Sequence, residues 1–252
     1  MFDSTIPFGE PELMRASLFR RYLPSQDGPN APGIVSPSLA SLNPSLLADL
    51  RSDNREHRSE PLDVLAACVR HAQPVTVHLQ CGDRVVPLTV FPHERLAHCP
   101  VPIKSLLALR QPELQVMHIE AALRVAPGDS TTRHARSGNE ASADLHPLGS
   151  LLWELALHGG RRELLPEIAG PAVYRVSYGL QTGDMAITGA MLAALQRLRR
   201  EPHHLRDIAT WPGFDRERAS RLLNALYLQS GLIVSRSHPD ALLDSWFGTL
   251  GR

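Results

Sequence analysis

Twelve histidines and three cysteines are the residues of this chain best suited to hold a metal or move a proton. His93, His98 and Cys99 lie close together, and His78, Cys81 and His118 come near one another if their segments share a sheet. Zinc sites favour tight pairs such as C-x-x-C or H-x-x-x-H. Neither spacing occurs, so no metal is expected. His203-His204 reads as a solvated loop pair. In His158-Gly-Gly-Arg161-Arg162, two glycines expose backbone N–H groups ahead of two guanidinium groups. An anion would meet Arg161 and Arg162 there, although a helix C-cap with dipole-complementing charge has the same pattern. Lys104 is the one lysine and follows no Gly-rich loop. There is no G-x-G-x-x-G after a strand and no G-x-S-x-G. Glu163 and Glu167 are four apart but nominate no substrate. No catalytic residue and no cofactor is expected, and an enzyme is the less favoured class.

The elements that would position these groups are of mixed type. Pro11 to Leu23 reads as a short amphipathic helix, Pro24 to Pro44 as loop, and Pro61 to His71 as a helix burying Leu62, Leu65, Ala66 and Val69. Val75 to Gln80 alternates, Cys81-Gly82-Asp83 turns, and Arg84 to Phe91 continues, which is a hairpin. Pro87 inside the second run implies an edge strand or bulge, and so a place where another chain docks. Further strands are expected at Leu96 to Val101 and Leu114 to Val125, with a helix at Ile103 to Leu109. Gly128 to His146 is almost devoid of apolar residues and reads as a linker. Leu148 to Leu157 is a strongly apolar helix, with a turn or two of helix at Arg161 to Ile168 and a strand at Ala172 to Ser177. The expected fold is α+β: a small antiparallel sheet domain with helices, then a helical module. Its parts are an irregular segment (1–60), the α+β domain (61–126), the linker (127–146), an extension (147–183) and the C-terminal module (184–252).

The C-terminal module has the firmest pattern. A helix over Thr188 to Arg200 buries Met191, Leu192, Leu195 and Leu198, and Pro202 stops it. A short helix spans Leu205 to Trp211, and Pro212-Gly213 breaks it. Asp215 caps a third helix, Arg216 to Gln229, which buries Ala219, Leu222, Leu223 and Leu226. Ser230-Gly231 ends that helix and Leu232 to Ser235 forms a strand. Over residues 187–237 this order resembles a generic winged helix-turn-helix module. Its place beside a small α+β domain is similar in layout to bacterial signalling adaptors. The usual second wing strand is absent, and residues after Ser237 read as a terminal helix. Trp153 and Trp211 read as core residues.

The resemblance implies two uses. A duplex reader would place the third helix in the major groove and offer Arg216, Arg218, Arg221 and Asn224 to base edges. A protein-contact module would offer an apolar surface, such as the sheet edge near Pro87 or the terminal helix at Leu243, Trp246 and Phe247. Charge favours the second use. The whole chain has a formal net charge of +0, and from Asp184 to Asp240 eight arginines face six acidic residues, a net of only +2. Asp215 and Glu217 also sit on the turn that would approach phosphates. The arginine bias, 25 of 26 basic residues, is that of a GC-rich bacterial coding sequence. No apolar run approaches the ~20 residues that span a bilayer, and no signal-like N-terminus is evident. The reading is a cytoplasmic, non-catalytic regulatory or adaptor protein whose partner is another protein. A DNA-binding regulator is the alternative.

Overall fold

A computed structural model describes residues 13–22, 42–53, 60–101, 114–122, 145–180 and 187–236. The fold is α+β with antiparallel sheets. The chain divides into two compact units, Met1–Leu151 and Leu152–Arg252. The division falls just downstream of the polar 127–146 stretch, of which only residues 145 and 146 are described. The helix expected at 103–109 and the terminal helix with Leu243, Trp246 and Phe247 lie outside the described residues.

The first unit contains helices α1 (Ala16–Tyr22), α2 (Pro44–Asp53) and α3 (Pro61–Arg70). Its strands are β1 (Val75–Cys81), β2 (Arg84–Phe91), β3 (Leu96–His98), β4 (Gln115–Ala121) and β5 (Leu145–Pro147). They form one sheet in the order β4-β1-β2-β3-β5. The period-2 pattern of β1 sets the register: buried Val75, Val77 and Leu79 lie opposite buried Val90, Leu88 and Val86. On the opposite face, Thr76 and Thr89 meet through their hydroxyls at 3.0 Å, and α1 lies against His78 through Phe19. His71 Nε2 meets Asp49 Oδ2 at 2.6 Å, tying the end of α3 to α2. The two hydrogen bonds Ala72 N to Val69 O and Gln73 N to Cys68 O close α3 with Ala72 at φ 51°.

Pro87 does not mark an edge strand. β2 is interior, with β1 on one side and β3 on the other. The three residues of β3 reach only Thr89 to Phe91, and residues 14–15 bond to β2 at Arg84 and Val85. Pro87 occupies the gap between them, where its missing N–H breaks no ladder bond.

The helix α4 (Leu148–His158) leads into the second unit, which holds β6 (Val173–Val176), α5 (Gly189–Arg200), β7 (His203–His204), α6 (Leu205–Ile208), α7 (Arg216–Leu228) and β8 (Leu232–Ser235). The sheet order is β7-β6-β8, with β6 antiparallel to both neighbours. Its central strand therefore precedes α5, and only one of its strands follows α7. Tyr174, fully buried on β6, donates its hydroxyl to Ile168 O at 2.7 Å. The sequence expectations need correction here. Residues 161–168 are not helical, α6 ends at Ile208, and Leu192 is 45% exposed while Ala194 takes the buried position. At the end of α7 the left-handed conformation belongs to Ser230, φ 55°. Gly231 is needed for a different reason: a Cβ there would stand 2.5 Å from Leu180 Cδ1.

Candidate functional site

The third helix of the C-terminal unit, α7, is enclosed over most of its length. Ala219, Ser220, Leu222, Leu223, Asn224, Ala225, Leu226 and Leu228 are all buried. A helix buried on consecutive positions 222 to 226 has no open stripe to offer a groove. The segment 157–165 supplies part of the cover. Asn224, 0% exposed, accepts Leu165 N–H at 2.9 Å and donates Nδ2 to Glu163 O at 2.8 Å. Arg221 donates Nη1 to Leu157 O at 2.7 Å, and its Nη2 pairs with Glu217 at 2.8 Å. Asn224 thereby holds irregular backbone that forms no helix of its own, and Arg221 holds a carbonyl in the last turn of α4; both satisfy main-chain groups that would otherwise be orphaned.

The other candidate residues are dispersed. Arg161 turns back onto the carbonyls of Glu163 and Leu164, at 3.2 and 2.8 Å. Arg162 is exposed and lies 3.7 Å from Glu217. Arg216 and Arg218 are exposed at the start of α7. His78 and His118 are cross-strand neighbours, ring centroids 5.8 Å apart, and His78 Nε2 meets Glu120 at 3.0 Å. Burial holds the His118 pKa below 6.5, with the His78 charge adding to that and Glu120 opposing it. Among the described residues no group of three His, Cys, Asp or Glu side chains is arranged to hold a metal. A cavity of about 420 Å³ in the first unit is lined by His71, His93, Asn43, Gln73 and small apolar residues, with no Ser, Thr or Cys beside its histidines. Burial pushes the Cys68 thiol up to about 12, so it is a packing residue and no nucleophile.

A surface that the sequence reading missed is built by Trp211-Pro212-Gly213-Phe214. Pro212 and Gly213, φ 79°, stand at the two central positions of a turn closed by Phe214 N to Trp211 O at 2.9 Å, the geometry of a type II turn. Such a turn brings its first and last residues together. The Trp211 and Phe214 rings accordingly meet edge to face with centroids 6.4 Å apart. His203, on β7, meets Trp211 edge-on at 5.0 Å. The guanidinium of Arg197, from the last turn of α5, stands over the Trp211 ring at 5.2 Å, and that of Arg218 stands over Phe214 at 5.4 Å. Arg218 Nη1 donates to Gly213 O at 2.8 Å, and its own N–H is capped by Asp215 at 2.7 Å. Trp211 is thus half-buried in a cation–aromatic ladder and is not a core residue, whereas Trp153 is buried. The legible signal was two aromatic residues at the ends of a Pro-Gly turn. A smaller exposed group, Arg175 hydrogen-bonded and stacked on Tyr178, lies at the end of β6, where Tyr178 is 77% exposed.

No protein-family model matches the chain, and no curated protein and no solved structure matches it significantly. No helix among the described residues is long and apolar enough to cross a membrane.

Proposed function

We propose that the chain is a non-catalytic bacterial regulatory or adaptor protein whose second unit is a winged-helix-like module used for protein–protein contact. The order of three helices, with β7 after the first and β8 after the third, supports the module. The observation that carries the functional reading is the enclosure of α7. A duplex reader needs that helix exposed, but Asn224 is fully buried and Arg221 is engaged with Leu157 and Glu217. What the unit presents instead is a ladder of exposed Arg over half-buried Trp and Phe, residue types enriched at protein interfaces.

Two measurements on the full chain test this. A photo-crosslinking residue replacing exposed Leu192, on the helix that carries Arg197, should give discrete protein adducts in the native host. A gel shift across a duplex pool should show no sequence-specific complex. A specific complex that weakens steeply with salt, and is abolished by Arg221→Ala in a folded protein, overturns the reading in favour of a DNA-binding regulator.

A further inference from the structure

We infer that the ladder formed by Arg197, Trp211, Phe214 and Arg218, with His203 at its side, is the docking surface of the second unit and that its occupant is an acidic peptide segment of the partner. The inference rests on the protein-contact reading above and adds the chemistry of the partner.

Three observations carry it. First, three of the four carboxylates flanking the ladder are already engaged. Asp215 caps α7 through Arg218 N–H, Glu217 is held by Arg221 at 2.8 Å, and Asp207 accepts His204 N–H at 3.3 Å. Glu201, at the end of α5, forms no ion pair with Arg197 among the described residues. Neither guanidinium of the ladder is therefore neutralised by a carboxylate among the described residues. Second, each guanidinium lies over an aromatic ring. A guanidinium held over a ring keeps N–H donors that can receive a carboxylate through charge-assisted hydrogen bonds. Arg218 uses Nη1 on Gly213 O and forms no ion pair among the described residues; nor does Arg197. Third, one face of each ring is taken. Arg197 covers a face of Trp211 and Arg218 a face of Phe214, and Trp211 is also in T-shaped contact with His203 and Phe214. A surface for unstacked nucleobases needs open ring faces. This one offers exposed guanidinium groups over half-buried rings, which favours carboxylates over bases.

The test uses the full chain and a short fluorescein-labelled peptide of alternating Asp and Gly, read by fluorescence anisotropy at physiological ionic strength. The comparators are the same peptide with Asn for Asp, and a single-stranded oligothymidylate. The Asp peptide should bind and the Asn peptide should not. Arg197→Gln with Arg218→Gln should weaken binding by at least about tenfold, as expected for loss of charge-assisted hydrogen bonds. Arg206→Gln, at a guanidinium that is 82% exposed and covers neither ring, should leave binding unchanged. Unchanged circular dichroism of the double variant shows that it folds. The inference is overturned if the Asp peptide does not bind, if Arg206→Gln weakens it as much as the double variant does, or if oligothymidylate binds and competes. Failure of the peptide while protein adducts persist sinks the inference alone. Specific nucleic-acid binding sinks the protein-contact reading with it.

Discussion

Asn224→Ala separates the two uses of α7. In the structure the side chain is a clamp: its Oδ1 accepts the buried N–H of Leu165 and its Nδ2 donates to the half-buried carbonyl of Glu163. Alanine leaves both main-chain groups without a partner. An orphaned buried N–H costs about 1–3 kcal/mol, and a carbonyl that water reaches in part adds about 0.5–1 kcal/mol. The expected loss is therefore about 2–4 kcal/mol, large beside a total domain stability of about 5–15 kcal/mol. A residue that only reads DNA bases is exposed in the unbound protein, and its removal changes stability by no more than about 0.5 kcal/mol. All three tryptophans, Trp153, Trp211 and Trp246, fall within Leu152–Arg252, so tryptophan fluorescence in urea reports this unit by itself. The midpoint should fall with the m-value unchanged. Wild-type stability within about 0.5 kcal/mol would refute the clamp. Asn224→Asp sharpens the test, because its second oxygen would face Glu163 O, acceptor against acceptor. Protonation restores a donor, so burial raises the folded-state pKa above the unfolded value of about 3.9. The variant should be least impaired below that value and lose stability as pH rises through the folded pKa.

Three further outcomes are expected. Gly213→Ala places a Cβ 3.0 Å from Ala190 Cβ at a backbone φ of 79°, so it should cost about 1–2 kcal/mol or more. It should also shift the Trp211 emission by pulling Trp211 and Phe214 apart; an unchanged spectrum and midpoint would contradict the turn. Ala72→Gly removes the strain of alanine at φ 51° and should stabilise the first unit by about 0.5–1 kcal/mol after the entropy of glycine is subtracted. A lower urea midpoint by amide circular dichroism would argue against it. His118 has a folded-state pKa below 6.5, so between the two values the unfolded chain binds more protons. Its contribution to the first unit is full above 6.5 and is lost as pH falls toward the folded pKa. An NMR titration should place its midpoint below 6.5, and His118→Gln should flatten that part of the stability profile.

Elements with their own periodicity were legible in the sequence, and their surroundings were not. The hairpin of Val75–Gln80 and Arg84–Phe91 was readable from alternation, since burial on one face imposes period 2. Asp215 was readable as an N-cap because its carboxylate needs only local backbone, and it accepts Arg218 N–H at 2.7 Å. Pro87 misled because proline reports a missing ladder bond, not the place of a strand in the sheet. A three-residue β3 leaves the same gap in an interior strand. Residues 161–168 misled for a complementary reason. Their apolar spacing fits a helix, but Asn224, some sixty residues away, supplies the hydrogen bonds that let irregular backbone be buried. Leu192 shows the limit of counting apolar residues on α5, where the smaller Ala194 faces inward.

The same tertiary effect decides where this unit can meet another molecule. Arg216, Arg218, Arg221 and Asn224 look equivalent along one helix, each a good reader of a base edge. Folding divides them: Asn224 goes inside, Arg221 joins the wall made by Leu157 and Glu217, and only the first turn stays open. That first turn continues directly into the Trp211–Phe214 turn, whose rings Arg218 and Arg197 cover. Arg218 therefore belongs to a surface made by the last turn of α5, the Pro-Gly turn and the entry to α7. A partner on this surface meets α7 end-on at its N-terminus, beside the Asp215 cap. A duplex groove would need that helix lengthwise. An extended acidic segment needs only the two guanidinium groups that lie over the rings beside the end of the helix.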